Sequence, residues 1–516
     1  MSHFYPVTRI RACEQLLLDA QTEPDQLMRQ AAHAVAVAAA AMLDDSTSGP
    51  VLLLVGAGGN GGDALYAGAE LLATTSVDAV LLGRDGRVHP QALAAFKQQG
   101  GRLLSDLPTY PSSYPLIIDG VLGIGGHGGI STDLQEWLGT VHSRDTRILS
   151  VDVPSGVNAD TGALPTQSGY VIADVTVTFG GLRPAHGLSA SCGEVLLADI
   201  GLKKSSLAAN LLKDDAGSPA RWTARALTSD HRQWPEPLTS VAPLAYRHSL
   251  EPGPDEDKYS GGVLGVCAGS SAYPGAAVLA TAAAVRATSS MVRYVGSQKL
   301  EVVRALPEVV ISDSVAETGR VQAWVVGPGR GTGAAARREL EELLHRPEPL
   351  LIDADALSIL ADNTSMRTIL RNRRGITLLT PHAGEFRRLS AALDTSIPDP
   401  SSDRIGAVLA LARDLSCDVL LKGRHTVITT GEDVITVDAG SSWAATPGSG
   451  DVLAGIIGAW LARSAARTES GAVPLAVQIH ATAAWLAAQT PDGPAPTSAF
   501  RIAEAVPQAT ARITSA

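Results

Sequence analysis

Cysteine and aromatic residues are both scarce in this chain of 516 residues, which has four cysteines and only 4% Phe, Trp and Tyr. Cys13, Cys192, Cys267 and Cys417 lie far apart and form no C-x-x-C pair. That excludes a zinc ribbon and a disulfide framework, and leaves reduced, buried thiols as the expectation. With so few aromatics and a hydrophobic fraction of 45%, the cores are expected to be built of Ala, Val and Leu. No apolar run is long enough to cross a bilayer: the longest, 31–43, includes His33 and reads as a buried helix. Arg9, Arg11, Glu14 and Asp19 interrupt the N-terminus, so no signal peptide and a cytoplasmic location are expected. The net charge of −11 comes without a basic stripe, so neither nucleic acid nor a membrane is expected as a partner.

What is present is glycine at the ends of apolar runs. The run Val51-Leu-Leu-Leu-Val55 reads as a buried strand and enters Gly56-Ala-Gly-Gly-Asn-Gly-Gly-Asp63. Gly56, Gly58 and Gly61 satisfy the G-x-G-x-x-G dinucleotide fingerprint, and Asp78 lies near the distance expected of a ribose-binding carboxylate. Alone this suggests a dehydrogenase, but no dehydrogenase substrate domain follows. In the second half, Leu350-Leu-Ile-Asp-Ala-Asp-Ala-Leu357, Leu378-Leu-Thr-Pro-His-Ala-Gly-Glu-Phe386 and Leu420-Leu-Lys-Gly-Arg-His-Thr-Val-Ile428 each carry strand-length apolar runs ending in polar residues or glycine. That is the repeating β-α pattern of a parallel sheet, with chemistry at the carboxyl ends of the strands. Most informative is Ala444-Ala-Thr-Pro-Gly-Ser-Gly-Asp-Val-Leu-Ala-Gly455. Gly448 and Gly450 let the backbone approach an anion, and the apolar run from Val452 carries a helix whose free N–H groups face it. A carboxylate there, Asp451, makes sense as an acid/base group or an indirect metal ligand rather than as part of an anion cradle.

In the second half, Lys258-Tyr-Ser-Gly-Gly262, Tyr273-Pro-Gly-Ala-Ala277, Gly327-Pro-Gly329, Thr380-Pro-His-Ala-Gly-Glu385, Lys422-Gly423 with Thr426, and Gly448-Ser-Gly-Asp451 occur in order. The set resembles the ADP-dependent NAD(P)H-hydrate dehydratases of the ribokinase-like superfamily. In the first half, the glycine loop is followed by Ile117-Ile-Asp-Gly-Val-Leu-Gly-Ile-Gly-Gly126, Ser150-Val-Asp-Val-Pro-Ser-Gly156 and Ala173-Asp-Val-Thr-Val-Thr-Phe-Gly180, with Leu27-Met-Arg-Gln-Ala-Ala32 as an N-terminal helix. These blocks resemble the NAD(P)H-hydrate epimerase domain, which is Rossmann-like without being a dehydrogenase. Two departures stand out: Gly59 where that family has a first asparagine, and Arg183-Pro-Ala-His186 where it often has a lysine.

The resemblances imply two three-layer α/β/α domains, Rossmann-like and then ribokinase-like. They imply a pair of activities on hydrated NADH and NADPH: epimerisation of R and S forms, and removal of water from the S form with ADP as phosphoryl donor. In the second domain Asp451 is the expected base. Ala276, Gly329 and His382 are expected at the hydrated dinucleotide, and Lys422, Gly423, Arg424, His425, Thr426 and Gly450 at the nucleotide, with Mg2+ expected there. A solvated Lys422 competes with a phosphate contact, a structural His382 competes with a ligand contact, and helix capping competes with a site role for Asp353 or Asp355. In the first domain the resemblance implies K+ held by Asn60, Asp119 and Ser155. It places substrate against Gly59, Asn60, Gly61, Gly62, Asp63, Asp152 and the loop Gly123, Ile124, Gly125, Gly126, His127, Gly128 and Gly129. Either Asp63 or Asp152 could move the proton. A homo-oligomer is expected.

The polar stretch containing Asp214-Asp-Ala-Gly-Ser-Pro219 and Pro252-Gly-Pro-Asp-Glu-Asp257 reads as a junction. The domains are therefore set at 1–215 and 216–516. The rival reading is a sugar or vitamin kinase of the ribokinase superfamily with an N-terminal binding module. The occurrence of both sets of blocks in one chain favours successive action on one metabolite.

Overall fold

The computed structural model describes residues 2–43, 49–83, 86–126, 128–141, 146–202, 205–214, 219–227, 233–246, 249–288, 291–393 and 395–514. They gather into two compact units: Ser2–Arg221 with Arg232–Val241, and Trp222–His231 with Ala242–Ala516. Residue 215, where the junction is expected, lies outside the described residues. The segment 232–241, which is C-terminal to it, belongs to the first unit.

The first unit is built on β1 (Val51–Val55), β2 (Val77–Leu81), β3 (Arg102–Leu104), β4 (Leu116–Gly120), β5 (Arg147–Val151), β6 (Val175–Phe179), β7 (Glu194–Ala198) and β8 (Leu238–Ser240). Their spatial order is β8-β7-β6-β5-β4-β1-β2-β3, all parallel except the antiparallel edge strand β8. Every residue of β1 is fully buried, as an apolar run covered on both faces requires. Val51, Leu53 and Val55 pack with the helices Gln26–Met42 and Gly59–Leu71, while Leu52 and Leu54 pack with Leu134 and Leu138 of the helix Thr132–Gly139. Alternation at period two thus fills two helical layers. The order reverses between β1 and β4, so a crevice opens at their carboxyl ends.

The fingerprint glycines serve this packing. A Cβ on Gly56 would stand 1.9 Å from the Val121 carbonyl oxygen, and one on Gly61 2.1 Å from the Gly56 carbonyl oxygen. Asp78 binds no ribose: it is buried in β2, accepting Arg102 Nε at 2.6 Å and the Tyr114 hydroxyl at 2.7 Å. The dehydrogenase reading fails on that residue.

The second unit is built on β9 (Val263–Cys267), β10 (Met291–Val295), β11 (Val310–Ser312), β12 (Ala323–Val326), β13 (Leu350–Ile352), β14 (Thr377–Leu379), β15 (Asp418–Leu421), β16 (His425–Thr430) and β17 (Asp433–Asp438). They run β17-β16-β15-β14-β13-β12-β9-β10-β11, parallel from β15 to β11, with β16 and β17 antiparallel. Leu264, Val266, Val325, Leu351 and Leu378 share one core with Ile456, Ile457 and Trp460 of the helix Ser449–Arg467 and Ile479 of the helix Ala472–Ala487. Their neighbours Val263, Cys267, Trp324 and Ile352 are equally buried, so this sheet too is covered on both faces. The apolar run at 31–43 falls in the buried helix Gln26–Met42, as expected. Among the described residues no helix is long and apolar enough to cross a membrane.

Candidate active sites

In the second unit, the loop after β17 turns into the helix Ser449–Arg467 through Gly448, whose φ of 83° suits glycine. The helix begins at Ser449, three residues earlier than the apolar run suggests, so Asp451 lies within its first turn. Ser449 and Gly450 line a cavity of about 470 Å³ with His382, Lys422, Gly423, Arg424 and Thr426. The expected nucleotide residues thus meet around a helix N-terminus, where unpaired N–H groups and the helix dipole favour an anion. His425 is the exception. It is turned away from this cavity, its Nε2 3.4 Å from Asp438 Oδ1, and burial pushes it down to about 4, so the ring is neutral.

Lys422 is not a solvated lysine. Its Nζ lies 2.7 Å from Asp353 Oδ1 and 3.9 Å from Glu385 Oε2. Burial works against its charge, but those carboxylates hold it above the ordinary lysine value. Neither aspartate of the 353–355 pair caps the helix Asp355–Asp362: Asp353 is spent on Lys422 and Asp355 accepts the Gly331 N–H at 2.7 Å. Asp451 stands beside this group. Burial, reinforced by Asp353 and opposed by Lys422, lifts it to about 6. Ala276 and Gly329 adjoin one another, since a Cβ on Gly329 would lie 2.6 Å from that of Ala276. His382 has a structural task as well as a place on the cavity wall: its Nδ1 accepts the Gly384 N–H at 2.9 Å and caps the helix Ala383–Ala391.

One residue of this site escaped sequence reasoning. His480, buried in the helix Ala472–Ala487, lines the cavity with Nε2 2.9 Å from Ser449 Oγ and 3.1 Å from the Ser449 carbonyl oxygen. Burial lowers it to about 4. Nothing in the residues marked it, because the same helix also buries Gln478 and Thr482.

In the first unit the crevice holds a cavity of about 530 Å³, lined by Gly59, Asn60, Asp63, Asp152 and the loop residues Gly123, Ile124, Gly125 and Gly126. Gly128 lines a smaller hollow beside it, with Pro154 and Gly156. Gly61, Gly62 and Gly129 line neither. They pack against Gly56, Met28 and Ser168 respectively. His127 lies outside the described residues. At Gly59 an added Cβ would meet nothing, so the loss of the family's asparagine leaves open space rather than a changed backbone.

Glu14 and Arg183 also line this cavity. Arg183 is buried, its Nη2 2.8 Å from Asp152 Oδ1, with Nη1 donating to Thr178 Oγ1 at 2.8 Å and to the Phe179 carbonyl at 3.0 Å. The departure read at 183 therefore supplies the site's cation. His186 locks it: burial lowers this ring to about 4, Nδ1 accepts the Arg183 N–H at 3.0 Å, and Nε2 therefore donates to the Asp152 carbonyl at 2.8 Å. Asp152 itself sits at φ 67°, a left-handed conformation uncommon outside glycine. Among the described residues Asp63 has no such cation. Burial, together with Asp152 and Glu14, pushes it well above the carboxylate range. Burial also raises Glu14, with Arg183 opposing.

Asp119, Ser155 and Asn60 converge behind the same crevice. Asp119 is fully buried and accepts Ser150 Oγ at 2.9 Å, Ser155 N–H at 2.9 Å and Ser155 Oγ at 2.6 Å. Ser155 Oγ accepts the Leu122 N–H at 2.8 Å, and Asn60 Nδ2 donates to the Val151 carbonyl at 2.6 Å. Among the described residues no cationic side chain pairs with Asp119, and burial raises it despite these donors.

The arrangement around Asp152 carries an expected outcome. Arg183→Ala removes the buried counter-charge of Asp152, and should lower the stability of the first unit by about 3–5 kcal/mol in a urea titration. Arg183→Lys should recover part of it, since one ammonium replaces the guanidinium fork. A loss below about 1 kcal/mol for the alanine variant would show that the pair does not hold the site.

Comparison with known proteins agrees with both halves. Residues 264–507 match a family described as NAD(P)H-hydrate dehydratase, and residues 24–185 one described as YjeF-related protein N-terminus. The bifunctional NAD(P)H-hydrate repair enzyme Nnr of Corynebacterium glutamicum is 47% identical over 99% of this chain and 99% of its own length. The ADP-dependent (S)-NAD(P)H-hydrate dehydratase of Neisseria meningitidis is 37% identical over 40% of this chain and 72% of its own. A crystal structure of the ADP/ATP-dependent NAD(P)H-hydrate dehydratase of Bacillus subtilis, co-crystallised with ATP/Mg2+, is 26% identical, covering 51% of this chain and 94% of that one with a TM-score of 0.44. With 47% identity over 99% of both chains to an enzyme of that name, this chain belongs to the family of bifunctional NAD(P)H-hydrate repair enzymes.

Proposed function

We propose that the first unit interconverts the R and S forms of hydrated NADH and NADPH, and that the second dehydrates the S form with ADP, giving NAD(P)H, AMP and phosphate. The observation that carries this reading is Asp451: a carboxylate raised to about 6 in the first turn of a helix whose N-terminus faces the cavity. In phosphoryl transfer, a base must take the proton of the attacking hydroxyl while fixed donors hold the phosphate. Asp451 suits the first task at neutral pH, being ionised yet basic enough to accept a proton. The N–H of Gly450 at the helix start and Lys422, both on the cavity wall, suit the second. The phosphorylated hydroxyl then leaves as phosphate while the adjacent ring carbon gives up a proton to water, restoring the double bond of the ring.

Mg2+ fits this site as an ion carried mainly by the nucleotide. Asp353 and Asp355 are engaged by Lys422 and Gly331, and Mg2+ commonly takes one or two carboxylates plus phosphate oxygens. In the first unit, Asn60, Asp119 and Ser155 fit K+. One buried carboxylate without a cationic partner, beside amide and hydroxyl oxygens, is an all-oxygen set of low charge. A cation bound there would offset the charge of Asp119 and fix the loops on which the substrate rests. Epimerisation requires that the ring hydroxyl leave as water and that water return to either face. Asp63, whose carboxyl is raised by burial and by the nearby Asp152 and Glu14, is the donor we assign, and Asp152, fixed by Arg183, supplies the negative charge that steadies the cationic ring between the two steps.

Two outcomes follow. The kcat of ADP-dependent dehydration should fall as pH drops below about 6, because protonation disables Asp451. Asp451→Asn should lower it by about 10²–10⁴-fold and remove that inflection. A variant that kept a third of the rate with the same profile would dismiss Asp451 as the base. Separately, the epimerase rate should rise with K+ and fall when tetramethylammonium replaces it. Asp119→Asn should weaken K+ binding, read as the loss of K+-dependent thermal stabilisation of the first unit. Stabilisation that is equal with and without Asp119 would remove the ion from this site.

A further inference from the structure

The helix Val7–Leu18 lies outside both family matches, which begin at residues 24 and 264, yet it is built into the first site. Arg11, Glu14 and Leu18 fall at spacings of three and four and share one helix face. Glu14 and Leu18 line the 530 Å³ cavity. Arg11 is exposed and reaches over the cavity rim, its Nη2 donating to the Ile124 carbonyl at 3.1 Å and lying 3.0 Å from where a Cβ on Gly125 would stand. The helix is no loose tail. Ile10 and Leu17 are buried in the main core, and the Val7 N–H donates to Asp160 Oδ1 at 2.7 Å.

The charge around the cavity poses a problem for a dinucleotide. Its described lining holds three carboxylates, Glu14, Asp63 and Asp152, against one cationic side chain, Arg183. That cation is buried and taken by Asp152, Thr178 and backbone carbonyls. A substrate carrying a pyrophosphate needs a cation that is not already spent, close to the glycine loop along which the phosphates can lie. Arg11 is so placed. With one N–H on Ile124, the guanidinium keeps donors for phosphate oxygens in the planar fork that suits them. Glycine at 125 keeps the loop backbone open beneath it.

We propose that Arg11 is the cationic contact for the pyrophosphate of the hydrated dinucleotide, a substrate-positioning residue supplied from the N-terminal helix. It steadies the phosphates while the ring lies deeper, near Asp63 and Asp152. This rests on the epimerase reading of the first unit. The test follows conversion of purified R-hydrate to the S form by chromatography, using the full chain. Arg11→Ala should raise KM at least tenfold with kcat within about threefold, since a charge-assisted hydrogen bond is lost from ground and transition state alike. Competitive inhibition by inorganic pyrophosphate should weaken to the same degree, and Arg11→Lys should fall between. ADP-dependent dehydration of the S-hydrate by the same variants should match the parent, reporting that the protein is intact. If Arg11→Ala does not fold, Arg11→Met keeps the apolar stem and gives the same comparison. An unchanged KM and pyrophosphate inhibition, or a fall in kcat alone, would overturn the assignment and leave the Arg11 contact as a structural tie to the loop. A parent chain without epimerase activity would instead overturn the reading of the whole unit.

Discussion

A carboxylate buried at the end of a parallel strand must be met by a cation or by an array of donors, and how each one is met sorts the groups in both sites. Asp152 is met by Arg183 and Asp353 by Lys422. Among the described residues Asp119 is met only by hydroxyl and backbone donors. Asp63 meets no cation among the described residues, Asp451 shares the Lys422 that Asp353 holds, and burial raises both, Asp451 to about 6. In each unit a carboxylate held by a cation thus stands near one that burial raises, and their different surroundings suit the two to different tasks. The same logic makes these sites costly to alter, because removing one partner leaves the other charged and buried.

The parallel sheets make this arrangement possible. Strands covered on both faces put their polar residues at the carboxyl ends, where loops and helix N-termini meet. In the first unit the reversal between β1 and β4 opens the crevice, and close contact at Gly56 and Gly61 brings the helix Gly59–Leu71 into line with it. In the second, the turn at Gly448 aims the helix Ser449–Arg467 at the cavity and carries Asp451 toward Asp353 and Lys422. Chemistry that needs an anion cradle and a base side by side thereby obtains both from one helix end.

Much of this was legible in the residues. The strand-length apolar runs, the glycine loops and Asp451 marked the architecture and the second site, because local sequence dictates strands, tight turns and helix starts. The fingerprint Gly56-x-Gly58-x-x-Gly61 misled only if read with Asp78, whose pairing with Arg102 and Tyr114 depends on tertiary neighbours. Arg183 was visible as a departure, but its partnership with Asp152 joins residues 31 positions apart and follows from the sheet rather than from spacing. Glu14, Arg11 and His480 were silent for the same reason: each lies on a helix whose own pattern explains it, and only packing shows what it faces. His425 is placed otherwise, because alternation along β16 turns it from the cavity that its neighbour Thr426 lines.

The most direct test of the account presents the purified chain with an R,S mixture of hydrated NADH, ADP, Mg2+ and K+, and follows the absorbance of reduced nicotinamide. Two working sites in one chain predict recovery of the whole mixture: a fast phase for the S fraction, then a slower phase for the R fraction that disappears in Asp63→Asn. Recovery that stops at the S fraction in the parent chain would contradict the role given to the first unit. No recovery at all, or a phosphorylated product that accumulates, would contradict the account at its centre.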